Sequence, residues 1–168
     1  GVKVLLLDRL TPGAEESGHK KERNKLVDDS LTAAIKSNPS PLYNSNASKL
    51  ISTGNFTDDI AEIAKADWII EVVVERLDIK KLIYDEVEKY RKPGTLVSSN
   101  TSGIPIHLMA EGRSDDFQKH FCGTHFFNPP RYLRLLEIIP TPKTDPTVID
   151  FFMHYGDVYL GKTTVLCK

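Results

Sequence analysis

Cysteine is scarce in this chain, whose 168 residues include two, Cys122 and Cys167. Both lie in apolar surroundings typical of strands, and their spacing matches neither a disulfide framework nor a set of metal ligands. The scarcity argues against a secreted scaffold held together by disulfides. It fits a reducing compartment, so we expect a cytoplasmic protein and assign no metal-binding residues.

An excess of charge of either sign is missing as well. Lysine and arginine total 22, aspartate and glutamate total 23, and the net charge is −1 at pH 7. A short basic cluster from Lys20 to Lys25 is typical of a solvated helix. This balance indicates no nucleic-acid partner. No apolar stretch is long enough to span a membrane and no signal peptide is visible, so we expect no membrane partner either.

Apolar runs that alternate with amphipathic segments are what the chain does contain, and 40% of its residues are hydrophobic, enough for one domain with a core. The pattern predicts strands at residues 1–8, 49–52, 68–74, 95–98 and 163–167 and around His125 and Glu137. It predicts helices at residues 22–37 and 58–65, a helix capped by Asp78 with an inward face of Leu82, Ile83, Val87 and Tyr90, and a helix capped by Asp145 and Pro146. This alternation indicates an α/β class with a doubly wound, mainly parallel sheet.

The first apolar run, residues 1–8, ends in Asp8. An acidic residue at the carboxyl end of a parallel strand is where a dinucleotide-binding fold holds the adenosine ribose, although many buried strands end in aspartate because the chain reaches solvent there. The glycine-rich phosphate loop should lie about 20 residues earlier. Seven residues precede Asp8. We therefore expect the first strand and that loop upstream of residue 1, a sheet truncated at the amino terminus, and an undetermined pairing of the remaining strands.

The segment GTHFFNPPRYLRLLEIIP, residues 123–140, places His125 and Glu137 each inside a short apolar run. A buried carboxylate needs a partner, and an imidazole whose orientation is fixed becomes a usable general base. A carboxylate can fix that orientation and stabilise the imidazolium. The pair is therefore a candidate catalytic dyad. The alternative is a structural histidine with a glutamate that faces solvent.

Three short segments of the chain resemble those of a known protein family. The segments HFFNPP and LLEIIP, together with SSNTSG at residues 98–103, resemble the L-3-hydroxyacyl-CoA dehydrogenases, which are NAD-dependent oxidoreductases of fatty-acid β-oxidation. The resemblance extends over residues 2–168. It implies a Rossmann-like fold, NAD as cofactor and an acyl-CoA substrate. It implies that His125 is the catalytic base, that Glu137 is its partner, that Ser102 hydrogen-bonds the reacting oxygen and that Asn128 lies beside the substrate.

The same resemblance assigns residues to the cofactor. Glu75 and Lys80 match a glutamate and a lysine five residues apart that contact it, and Asn100 follows a predicted strand where polar groups face the crevice. The alternatives are an exposed ion pair of Glu75 with Arg76 or Lys80, and a plain turn at SNTSG. NAD is favoured over NADP because Asp8 would repel a 2′-phosphate.

The resemblance also sets the domain organisation that we expect. Residues 1–168 would form a partial NAD-binding domain, and a C-terminal helical domain that completes the acyl-CoA site and carries the dimer contacts would be absent. The parent would be a homodimer or part of a multifunctional β-oxidation protein. Two rivals are a non-catalytic relative that keeps the fold for binding, and another NAD-dependent enzyme such as a 6-phosphogluconate-type dehydrogenase. The second rival uses a lysine as its acid and base, which HFFNPP and LLEIIP disfavour.

Overall fold

The structure is a computed structural model that describes residues 1–167, and the chain divides into two compact units, Gly1–Ile63 and Ala64–Lys168. In the first unit, β1 (Val4–Asp8) pairs in parallel with β2 (Ile51–Asn55), so that Asp8 lies opposite Asn55 at the carboxyl ends. Between the two strands lie α1 (Lys20–Arg23), α2 (Lys25–Lys36) and a 3₁₀ helix (Ser45–Leu50). A second 3₁₀ helix spans Ile60–Lys65.

The second unit is built on a five-stranded sheet. Its strands lie in the order β3 (Trp68–Glu71), β4 (Leu96–Ser99), β5 (Phe121–Phe126), β6 (Leu135–Pro140) and β7 (Thr163–Leu166). Neighbouring strands are parallel except for β5 and β6, which are antiparallel. The helices are α3 (Leu77–Tyr90), α4 (Ile106–Ala110), α5 (Asp115–Lys119) and α6 (Pro146–Val158). The predicted α/β class with a mainly parallel sheet is confirmed.

Helices cover both faces of this sheet, as adjacent residues of β5 show. Successive side chains of a strand point to opposite faces. Phe121 packs with Tyr84 of α3 and Phe117 of α5, with ring centroids 5.4 and 5.1 Å away. Cys122 belongs to a buried cluster that includes Phe152 of α6. The sheet is therefore doubly wound.

The pairing left open by the sequence is resolved into two sheets. β1 and β2 form a two-stranded sheet, and β3 to β7 form the five-stranded one. Two strand boundaries also move: β2 begins after the 3₁₀ helix at Ile51, not at residue 49, and β3 ends at Glu71, three residues before the predicted end. Val72 and Val74 beyond it are exposed, which explains why apolar character alone overextended the strand.

The start of α6 was predicted correctly from the sequence, whereas the N-cap of α3 was not. α6 begins as predicted, with Asp145 accepting a hydrogen bond from the Thr147 amide at 2.9 Å and Pro146 in the first turn. The prediction that Asp78 caps α3 is wrong: the N-cap is Arg76, and Asp78 lies in the first turn with an ion pair to that arginine at 2.5 Å.

The inward face of α3 also differs from the prediction. Its buried residues are Lys80, Tyr84 and Val87, which follow helical spacing, whereas Leu82 is 61% exposed and Tyr90 is 39% exposed. A lysine on the buried stripe replaces the leucine that hydrophobicity favoured. The cause is a carboxylate that Lys80 meets inside the second unit.

The basic cluster of the first unit is more than a solvated helix. The predicted helix at residues 22–37 is interrupted at Asn24, which lies between α1 and α2. Arg23 donates two hydrogen bonds of 2.7 Å to Asp58, and its side chain is 16% exposed.

Among the helices of residues 1–167, none combines the length and apolar character needed to cross a membrane.

Candidate active site

The carboxyl ends of β3 and β4 lie side by side, because the two strands are parallel and Glu71 pairs in register with Ser99. The loops that follow, residues 72–76 and 100–105, therefore leave the same edge of the sheet. β5 runs parallel to β4, with Gly123 opposite Ser99, and continues two residues further to His125. Most of the predicted site residues of the second unit lie at or just beyond this edge.

His125 and Glu137 are register partners on the antiparallel strands β5 and β6. Directly opposite residues of such a pair project from the same face, so their side chains can meet. His125 Nδ1 lies 2.8 Å from Glu137 Oε2, with side-chain exposures of 19% and 31%. With the Nδ1 proton directed at the carboxylate, Nε2 is the ring nitrogen that can accept a proton. The imidazole also packs on Phe127, with ring centroids 4.5 Å apart.

Asn100 links the loop after β4 to the strand that carries the histidine. Its backbone amide donates to the Glu71 carbonyl at 2.9 Å, and its side-chain Oδ1 accepts a hydrogen bond of 2.8 Å from the backbone amide of Phe126. Because Phe126 directly follows His125, this side chain holds the loop next to the predicted base. With Oδ1 engaged, the amide NH₂ is the group that remains to donate.

Glu75 holds the same loop at its other end. Its Oε1 accepts from the Ser102 and Gly103 amides at 3.1 and 3.0 Å and from the Thr101 hydroxyl. Its Oε2 lies 3.3 Å from Lys80 Nζ. Burial acts to raise the pKa of Glu75, but the hydrogen bonds from Thr101 and Gly103 and the Lys80 charge outweigh it and lower the pKa to about 2. The carboxylate is therefore ionised at neutral pH.

The alternative of a surface pair is correct in its partners, since Lys80 does pair with Glu75, but wrong in its location, because the Lys80 side chain is buried. The side chains of Lys80 and Glu71 are 1% and 2% exposed. Nζ lies 2.8 and 3.0 Å from the two oxygens of Glu71. Glu71 Oε2 also accepts from Tyr84 and Ser99 hydroxyls at 3.0 and 2.6 Å. Burial, and then the Glu71 charge, raise the pKa of Tyr84 well above its ordinary value, so the hydroxyl stays a donor.

The sequence reasoning missed Glu71 and Thr101. Glu71 carried a usable signal: it is a lone acid inside the apolar run WIIEVVV, where a charge needs a buried partner. Thr101 had only a weak one, because a hydroxyl in SNTSG is equally typical of a turn. Both residues contact predicted site residues: Glu71 accepts a hydrogen bond from Lys80, and the Thr101 hydroxyl donates one to Glu75.

The two remaining predicted site residues are Asn128 and Asp8. Asn128 follows the end of β5 and is exposed. Asp8 ends β1 in the first unit, where one carboxylate oxygen accepts from the Arg9 amide at 2.7 Å. The other oxygen leaves an acceptor suited to a ribose hydroxyl, so this residue fits the cofactor predicted from the sequence. Within residues 1–167, no cluster of three histidine, cysteine or acidic residues could hold a metal ion.

Comparisons with known proteins agree with this architecture. The chain matches, over residues 1–168, the family model of the 3-hydroxyacyl-CoA dehydrogenase NAD binding domain. It is 48% identical over 176 residues to a probable 3-hydroxyacyl-CoA dehydrogenase of Bacillus subtilis and 45% identical over 168 residues to one of Deinococcus radiodurans. Each alignment covers 100% of this chain, and the chain spans 22% and 47% of those relatives.

The fold agrees too. The crystal structure of M. tuberculosis FadB2 superposes with a TM-score of 0.74 at 26% identity, covering 99% of this chain and 55% of that one. A match over the whole chain and relatives of this identity establish the family. The chain belongs to the NAD-binding domain family of the 3-hydroxyacyl-CoA dehydrogenases.

Proposed function

We propose that the complete protein carrying this chain is an NAD-dependent dehydrogenase that oxidises L-3-hydroxyacyl-CoA to 3-ketoacyl-CoA. The observation that carries the proposal is the 2.8 Å contact of His125 Nδ1 with Glu137 Oε2 in a chain of this family. A histidine held in this way presents Nε2 as a base, which is what oxidation of an alcohol requires of the protein.

In the proposed reaction, His125 Nε2 takes the proton of the C3 hydroxyl. Glu137 keeps the proton of the histidine on Nδ1 and stabilises the imidazolium as it forms. Oxidation of C3 to a carbonyl would rely on bound NAD as the acceptor of the hydride. The protein therefore supplies proton transfer and position.

Ser102 and Asn128 are proposed to hold the reacting oxygen and the thioester end of the substrate. Ser102 is suited to the first role because its amide and that of Gly103 are bound to Glu75, so the serine stands on a restrained loop. Donors placed in advance stabilise charge that develops on oxygen. Asn128 follows His125 by three residues and is accessible.

Four residues are proposed to hold the cofactor: Asp8, Glu75, Lys80 and Asn100. Asp8 offers an acceptor oxygen at a strand end, and the lowered pKa of Glu75 keeps a second carboxylate ionised. Asn100 can donate from its NH₂ group while Oδ1 is bound to Phe126. Lys80 is buried, so it is proposed to act on the cofactor through Glu75, which it binds. The carboxylate of Asp8 favours NAD over NADP.

The setting of the reaction follows the same proposal. We infer an acyl-CoA substrate, a place in fatty-acid β-oxidation and a cytoplasmic location, the last supported by two free cysteines. Residues 1–168 would act with a helical domain elsewhere in the protein. The chain spans 22% of one relative and 47% of another, so the domain occurs in chains of different length. The longer relative supports a multifunctional protein as the parent, and a homodimer is the alternative that the family resemblance implies.

The test is turnover by the complete protein, measured as loss of NADH absorbance with acetoacetyl-CoA. His125→Ala should abolish turnover and leave NADH binding largely intact. His154→Ala, an exposed histidine of α6, is the matched control and should keep wild-type turnover. A folded complete protein without turnover would contradict the proposal and favour the non-catalytic relative.

A further inference from the structure

Glu71 forms a buried centre beneath the predicted active site. It is the last residue of β3, and its side chain is 2% exposed. Lys80 Nζ reaches both of its oxygens, the Val73 amide donates to Oε1 at 2.6 Å, and hydroxyls from Tyr84 and Ser99 donate to Oε2. A carboxylate has about four acceptor positions. This one is saturated, so its orientation is fixed from several directions.

Stabilisation of the fold does not by itself explain why Glu71 and Lys80 are buried together. A buried ion pair is often no more stabilising than apolar residues of the same volume, because removing two charges from water offsets their attraction. What the charges of Glu71 and Lys80 add is geometry, since each fixes where the other can lie.

That geometry is passed to the loop that carries Ser102. Lys80, held by Glu71, lies 3.3 Å from Glu75 Oε2, and Glu75 Oε1 binds the Ser102 and Gly103 amides. The Glu71 carbonyl also accepts from the Asn100 amide at 2.9 Å. Glu71 is therefore connected to both ends of the loop at residues 100–103, at Asn100 through its backbone and at Ser102 and Gly103 through its side chain.

We propose that Glu71 is a positioning residue for the dehydrogenase reaction: through Lys80 and Glu75 it sets the loop of residues 100–103, and with it the Ser102 hydroxyl, relative to the substrate. Glu71 itself does not meet the substrate. The inference rests on the proposed function, and it assigns Lys80 a role that acts through Glu75.

The test compares Glu71→Gln with Glu86→Gln in the complete protein. Glu86 of α3 is paired with Lys89, its side chain is 44% exposed, and it serves as the matched control. The glutamine keeps the shape of Glu71 but loses the charge that holds Lys80. We expect kcat to fall about 10- to 100-fold with a smaller change in KM, because small displacements of positioning groups have effects of that size. The control should keep wild-type kcat.

A second measurement does not depend on activity. Amide hydrogen exchange of Ser102 and Gly103 should become about tenfold faster in Glu71→Gln, because their hydrogen bonds to Glu75 open more often. Exchange in β7 should stay unchanged. Wild-type kcat and wild-type exchange at these two amides would overturn the proposal.

Loss of stability is separated from loss of positioning by a conservative variant. Glu71→Asp keeps the charge but withdraws the carboxylate by one methylene, so it should fold and still lose kcat. Variants that lower the melting temperature while the folded protein keeps wild-type kcat, or a failure of both variants to fold, would show a structural role and overturn the proposal. Wild-type protein without turnover would instead refute the proposed function, and the exchange measurement would still test Glu71.

Discussion

Lys80 Nζ lies 2.8 Å from Glu71 Oε1, with both side chains at most 2% exposed. Lys80→Met should therefore leave an uncompensated buried carboxylate, and we expect a loss of about 3–5 kcal/mol in the free energy of unfolding of the complete protein. Urea denaturation followed by circular dichroism measures it. Lys89→Met removes an exposed lysine paired with Glu86 and should cost less than about 1 kcal/mol. Equal losses in both variants would contradict the buried pair.

The lowered pKa of Glu75 predicts how the loop responds to acid. The pKa of Glu75 is about 2 in the folded protein and 4.5 ordinarily. The ionised carboxylate therefore stabilises the folded protein fully above pH 4.5, and this stabilisation is lost as the pH falls through about 2. Thr101→Val removes a hydroxyl donor and should raise that pKa. Carboxyl NMR titration measures the midpoint. Thr163→Val on β7 is the control, and a pKa equally unchanged in both variants would contradict the assigned cause.

Gly123 allows close packing beside the predicted base. A Cβ at this position of β5 would lie 2.9 Å from Ile106 Cδ1 and 3.0 Å from Ile139 Cβ. Gly123→Ala should overpack the site and cost about 1–3 kcal/mol in stability. Thermal unfolding of the complete protein tests this. Gly18→Ala, where a Cβ enters open space among the described residues, should change stability by about 0.5 kcal/mol or less. A neutral Gly123→Ala would refute the tight contact.

Glu137→Gln tests the carboxylate that faces His125. The glutamine can still accept from Nδ1, but it lacks the charge that stabilises the imidazolium. We expect kcat to fall by about 100-fold or more, because general base catalysis contributes that much, with little change in the KM for acetoacetyl-CoA. Steady-state kinetics of the complete protein give both values. Glu111→Gln removes an exposed acid and should behave as wild type. Retained kcat in Glu137→Gln would support a structural histidine.

The strands and caps that could be predicted from sequence are those set by local signals. Asp145 and Pro146 start α6 where predicted, and β4 to β7 lie near their predicted positions, because capping groups and buried apolar runs act within a few residues. The inward face of α3 could not be predicted in this way. Lys80 is buried because Glu71, which lies on another element, meets it there.

The candidate site divides along the same line. The family resemblance, the α/β class and the presence of His125 and Glu137 in two apolar strands could all be recognised from the sequence, since composition and motif are properties of the chain. The folded chain was needed to see that these two residues are register partners with side chains 2.8 Å apart, and that Glu71, Lys80 and Glu75 connect to the loop of Ser102. Strand register and buried charge pairing join residues that are distant in sequence, whereas hydrophobic periodicity indicates the face on which a residue lies but does not identify its partner.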